Sequence, residues 1–382
     1  MKKTLLSFLV AILIAVTCCG CLPFLDREES EKETKKEKSN LNSYDENNVD
    51  VPLYDVLLEG VLEYEKKIEF NYDCTEELFD TYAKVLADHP EIFWATRGSK
   101  YSIAEDGDEL TVTFSPEYFM SKAEIEAGKK AIEDIKTDIL NGVNPNSTDY
   151  EKVLYIHDYI INNTVYDTKS AEENDGSGKK LSDNVYKSAC IYGCFVEKKA
   201  ICTGYSAAFQ FLMNELGMES GRVSGSSMDG STVGHQWNYV KVDGEYYYID
   251  LTWDDPVSED GSDSITYTYF LVDEQELKLT HIFDENAPEL DCNNKRYNYF
   301  VQNGLYMEKY SFDGISSIIS RSFADGEVEI KFSSPEELKK ATRQLFDNKG
   351  IWNIYAIKKL KLKTIYHAVS KNGLILRISV TE

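Results

Sequence analysis

The sequence predicts an α+β protein. Three observations carry that expectation. Apolar residues recur at helical spacing in several stretches, among them Leu53 to Val61 and Tyr205 to Leu216. Strand-like runs flank the tight-turn pairs Asp243-Gly244 and Asn372-Gly373. Helix-start signatures stand at Thr148-Asp149-Tyr150-Glu151 and Ser334-Pro335-Glu336-Glu337. The 382 residues exceed one ordinary core, so two or three folded units are expected.

The chain opens with Lys2 and Lys3, then an apolar run from Leu5 to Val16 broken only by Ser7. That run is too short to span a bilayer, so residues 1–20 read as an export signal. Thr17-Cys18-Cys19-Gly20-Cys21 follows and resembles a lipobox, in which a cysteine thiol receives a diacylglycerol. Cys21 is the expected lipid attachment residue, with Cys18 and Cys19 as alternatives and an ordinary cleaved signal as the plainer reading. The expected location is the cell membrane, lipid-anchored and facing outside. Residues 21–50 are polar and charged, which suits a flexible tether.

Residues 51–143 read as a small mixed unit. Leu53, Val56, Leu57, Leu58 and Val61 have helical spacing, and Thr75 to Ala87 repeats the pattern. Tyr101-Ser102-Ile103 and Leu110 to Phe114 flank Glu105-Asp106-Gly107-Asp108 as a hairpin, and Ser121 to Leu140 is a long helix. A boundary follows at Asn141 to Pro145, and the Thr148–Glu151 capping box opens a central unit, residues 144–302. A last small α/β unit, residues 303–382, has a strand at Val328–Phe332, a helix after Ser334 with Pro335 at its first position, and a hairpin at Lys371-Asn372-Gly373.

The formal charge is −25, and the first 20 residues hold no acidic group. So acidic a surface repels nucleic-acid phosphates and disfavours adsorption to anionic headgroups. A membrane link must therefore come from a hydrophobic anchor. Outside the signal region the cysteines are Cys74, Cys190, Cys194, Cys202 and Cys292. That is too sparse for a disulfide scaffold, although two or four could pair, and an odd one is a candidate reactive thiol. Cys190 and Cys194 lack a second pair to complete a zinc set. They read as a disulfide or as two core thiols.

Cys202 stands just before the amphipathic run Tyr205, Phe209, Leu212, Met213 and Leu216, which stops at Gly217. It is thus placed at a helix start, where unpaired N–H groups favour a thiolate and can hold a developing oxyanion. A buried structural cysteine is the plainer alternative. Next comes the run from Gly234 to Asp250. If Asp243-Gly244 is a two-residue turn, Val242 faces Glu245, Tyr239 faces Tyr248 and Trp237 faces Asp250. His235 then shares the face of Trp237 and is diagonal to Asp250, roughly 7–8 Å between backbones and within reach of a side-chain hydrogen bond. A thiol and an imidazole work best when a third group fixes the imidazole tautomer. Cys202, His235 and Asp250 are therefore the candidate nucleophile, base and orienting acid. A structural histidine and a turn aspartate are the alternatives for the last two. His89, His157, His281 and His367 have no clear catalytic partner and read as structural or surface residues.

Cys202-Thr203-Gly204-Tyr205-Ser206, Gly234-His235-Gln236-Trp237-Asn238 and Tyr248-Ile249-Asp250-Leu251-Thr252-Trp253 together resemble the three blocks of the transglutaminase-like superfamily. Glu151 to Tyr159, Val165-Tyr166-Asp167, Tyr269 to Val272 and Tyr297 to Phe300 resemble its flanking segments, and the likeness covers roughly residues 145–302. Thr203 departs from the glutamine or glutamate common there. The resemblance implies a papain-like core in which the cysteine-bearing helix packs on an antiparallel sheet carrying histidine and aspartate. It implies acyl transfer from a peptide or carboxamide through a thioester, to water or to an amine, and requires no cofactor or metal. Tyr205, Trp237 and Tyr192 are the expected substrate-cleft residues, with a protein or peptide, such as a cell-envelope component, as the expected partner. An inactive surface adhesion or scaffold protein is the alternative. A thiol–disulfide oxidoreductase finds no support, since no C-x-x-C motif is present in the folded units.

Overall fold

The computed structural model describes residues 13–15, 52–71, 77–106, 109–174, 179–228, 234–256, 265–323, 326–360 and 364–380. Cys21, the proposed tether, Cys74 and Thr75 lie outside the described residues. The architecture is α+β, with antiparallel pairing dominant.

The first sheet is antiparallel, in the order Ala95–Asp106, Glu109–Tyr118 and Ile68–Asn71, with Leu13–Ala15 of the expected export signal paired at the Ala95–Asp106 edge. Helices Leu53–Leu62 and Leu78–Asp88 pack on it through Leu57, Val61, Leu78 and Val85, all fully buried. The long helix Lys122–Gly142 starts in a complete capping box between Ser121 and Glu124, and Asp149–Asn163 starts in another between Thr148 and Glu151. Each box satisfies two backbone donors that a helix start otherwise leaves open.

The central sheet runs His281–Phe283, Ser220–Ser227, Gly234–Val242, Glu245–Ile249, antiparallel throughout. Its last hairpin pairs Val242 with Glu245 and Tyr239 with Tyr248, the register the Asp243-Gly244 turn implies. Helix Cys202–Glu215 covers one face. Val240, Val242, Tyr247 and Ile249 join the helix in the main core, while Trp237 and Tyr248 belong to a second cluster with Val223, Tyr269 and Cys292. The helix is buried on every side from Thr203 to Met213, not on a single face. The reason is that the first unit also packs on it: Gln210 Nε2 donates to Ala87 O at 3.1 Å. One continuous hydrophobic core consequently runs from Leu53 to Leu271.

The C-terminal unit has its own core, from Met307 to Ile378. Its sheet runs Tyr306–Met307, Glu327–Phe332, Ile375–Ser379, Tyr366–Val369, with the first pair parallel. Ser334 caps helix Pro335–Thr342 by accepting from Glu337 N, but the Glu337 carboxylate turns away and accepts from Tyr310 N at 2.8 Å. The expected capping box is thus half formed, and its acid ties two loops together instead. A buried ion pair between Lys331 and Glu276 links this unit to the central one, and Asn372 Nδ2 donates to the same carboxylate at 3.3 Å. No described helix is long and apolar enough to cross a membrane.

Candidate active site

Cys202 is the first residue of its helix, with Ile201 at the N-cap. The backbone enters tightly: Ile201 N donates to Ser188 O at 2.9 Å, and a Cβ on Gly204 would sit 2.3 Å from that same oxygen. Only glycine allows the first turn to lie so close. As the first residue of the helix, Cys202 has an N–H with no intrahelical acceptor.

His235 is the second residue of its strand and is buried. Its Nε2 lies 2.6 Å from Asp250 Oδ2. Cys202 and His235 line the same cavity, and with Nε2 taken by Asp250 the ring's Nδ1 is the nitrogen left for the thiol. Burial by itself disfavours the imidazolium, but the Asp250 carboxylate outweighs it and the pKa is pushed up to about 10.

Asp250 is fully engaged. Oδ2 also accepts from His281 Nε2 at 3.0 Å, and Oδ1 accepts from Thr252 N and Trp253 N at 3.0 and 3.2 Å. It is the N-cap of the short helix Leu251–Asp254 as well as the acid partner of two histidines. Burial opposes its ionisation, yet the two imidazoles hold its carboxyl well below the usual carboxylate range. His281 shifts the other way. Its burial outweighs the pull of Asp250 and holds it below the ordinary histidine value, so it is neutral and donates through Nε2.

His281 therefore has the acid partner that sequence spacing did not reveal. The pair is 31 residues apart and comes together only because strand His281–Phe283 adds to the far edge of Ser220–Ser227. His157 is wholly buried between Asp158 and Asp254, a structural position, and His89 pairs with Glu91 at the surface. Cys190, Cys194 and Cys292 form no disulfide with one another, and Cys190 Sγ donates to Lys187 O at 3.3 Å. Burial pushes Cys194 and Cys292 up to about 12, so neither is a nucleophile at neutral pH.

Two cavities meet at the triad. One of about 160 Å³ holds Cys202 and His235; the other, of about 580 Å³, begins at His235 and extends towards the C-terminal unit. Tyr166, Trp253 and Lys371 line both. The expected cleft residues are placed differently. Tyr192 stacks on Phe93 at 5.7 Å in the packing against the first unit, away from both cavities. Tyr205 is buried in the helix, and its hydroxyl donates to Asp255 at 2.5 Å. Trp237 lies beneath the histidines, edge-on to His281 at 4.9 Å. Large aromatic side chains in these blocks fill the core, and the one that lines both cavities is the half-buried Trp253, stacked on the His235 ring at 5.4 Å. The cap could have revealed it. An aspartate N-cap draws the residue three positions on back to its carboxylate, which here is Trp253.

A thiol held against a buried histidine–aspartate pair at a helix start, on an α+β frame, is the arrangement of a thiol-enzyme class. Residues 137–251 match the model of the transglutaminase-like superfamily. Kyphoscoliosis peptidase of Mus musculus is 23% identical over 151 residues, covering 37% of this chain, and that of Homo sapiens is 24% identical over the same length. The match spans 21% of those relatives' own length. A crystal structure of a TGase aligns over 40% of this chain and 43% of its own, at 19% identity and a TM-score of 0.29.

Proposed function

We propose that this protein is a thiol acyl-transfer enzyme of the cell surface, lipid-anchored through Cys21 and acting on peptide or carboxamide groups. The observation that carries the reading is the 2.6 Å bond between His235 and Asp250, with Cys202 lining the same cavity as His235. His235, an imidazolium at neutral pH, already holds the proton the sulfur has given up; the sulfur adds to the carbonyl carbon and His235 passes that proton to the leaving amine, giving a thioester. Water or a second amine then releases the acyl group. The Cys202 N–H, at the first position of its helix, would donate to the oxyanion. Asp250 fixes the ring and offsets the imidazolium charge.

The test is incubation of wild type and Cys202→Ala with a peptide library and a tagged primary amine, read by mass spectrometry. Cleaved peptides support a hydrolase and tagged peptides a transferase. Neither product from wild type refutes the enzyme and favours an adhesion or scaffold role.

A further inference from the structure

We propose that the C-terminal unit completes the substrate site, its Tyr366–Val369 and Ile375–Ser379 hairpin walling a subsite for a bulky aromatic side chain of a peptide beside Cys202. The inference rests on the thiol reading above and goes beyond it, because the wall lies outside the segment that matches the superfamily.

The cavity of about 580 Å³ is continuous with the reactive centre, sharing His235, Trp253 and Lys371 with the space around Cys202. Its volume is in the range of a ligand site and exceeds the neighbouring 160 Å³ space severalfold. The central unit supplies Trp253 and Tyr269, and the C-terminal unit supplies Ala368, Val369 and Ile375. The charged groups at its edge are already engaged within the protein. Arg377 pairs with Glu329 at 2.6 Å, Asp255 accepts from Tyr205, and the Lys371 ammonium lies 3.9 Å over the Trp253 ring. What remains for a ligand is aromatic and aliphatic surface edged by the neutral hydroxyls of Thr252, Thr266, Thr268 and Ser370, which favours an uncharged ring over a charged side chain. The wall is held in place from below, since Asn372 at the hairpin turn bonds Glu276, the partner of Lys331.

Rates of Cys202 labelling by tripeptidyl acyloxymethyl ketones test this. The probes are an all-alanine peptide and three with a single phenylalanine at each position in turn. In the full-length wild type, one phenylalanine probe should react at least about tenfold faster than the alanine probe. Val369 and Ala368 stand on an exposed edge strand, so Val369→Trp and Ala368→Trp fill the cavity without entering the core. In each the phenylalanine advantage should fall below about threefold, with thermal melting as the check on folding. Equal rates for all four probes in wild type would overturn the subsite, as would an unchanged advantage in both folded tryptophan variants. In either case iodoacetamide alkylation of Cys202 would show the thiol reading still standing. Failure of every probe, iodoacetamide included, would overturn that reading and the subsite with it.

Discussion

Asp250 accepts four hydrogen bonds, two from imidazoles and two from backbone amides. Each of the four constrains where His235 can point. Asp250→Asn would keep the shape but lose the charge and force the wrong His235 tautomer. Turnover should fall by about 10²–10⁴-fold with little change in KM, measured on whichever peptide the library identifies. His281 touches Asp250 rather than the sulfur, so it is a positioning residue. His281→Ala should cost about tenfold in kcat, leave KM unchanged, and shift the pH profile of Cys202 alkylation, and His281→Gln should restore part of the loss. The pair also has a pH signature. His235 has a folded pKa above its ordinary value, so its stabilisation is complete below that value and is lost as pH rises through about 10. Asp250 has a folded pKa below its ordinary value, so its stabilisation is present above that value and is lost as pH falls. The gap in melting temperature between wild type and Asp250→Asn should therefore be widest between the ordinary carboxylate and histidine values, 3.8 and 6.5, and close towards pH 10. A gap that stays constant to high pH would contradict the ion pair.

At the scale of elements, local rules reached far. The Asp243-Gly244 turn alone implied the strand register that the structure shows, and it put His235 and Asp250 on one face. Thr148 and Glu151 marked a helix start because a capping box is a local exchange of two hydrogen bonds. Long-range arrangement was not legible. Nothing local says that Glu337 abandons its own cap for Tyr310, or that His281 meets Asp250 across two strands. Core and cleft aromatics were also confused, because Tyr205, Trp237 and Trp253 differ in which tertiary surface they meet and not in residue type. Gly204 carries a prediction of its own. Gly204→Ala puts a methyl group against Ser188 O in backbone that cannot withdraw, so unfolding free energy should drop by about 1–3 kcal/mol in urea denaturation. Cys202 alkylation should slow with it, since the same turn holds the thiol.

For the whole molecule, the first two units share one core and the third is joined to them by a buried charge pair. Breaking such a pair leaves an uncompensated charge, so Glu276→Ala should cost about 3–5 kcal/mol. Calorimetry should show the C-terminal unit melting ahead of the rest. The central claim, a thiol driven by His235, is tested most directly by alkylation of Cys202 in wild type and His235→Ala near neutral pH, followed by peptide mass mapping. The account predicts that wild-type Cys202 reacts before Cys194 and Cys292, and that His235→Ala slows it by about tenfold or more. Equal rates in the two proteins would contradict it.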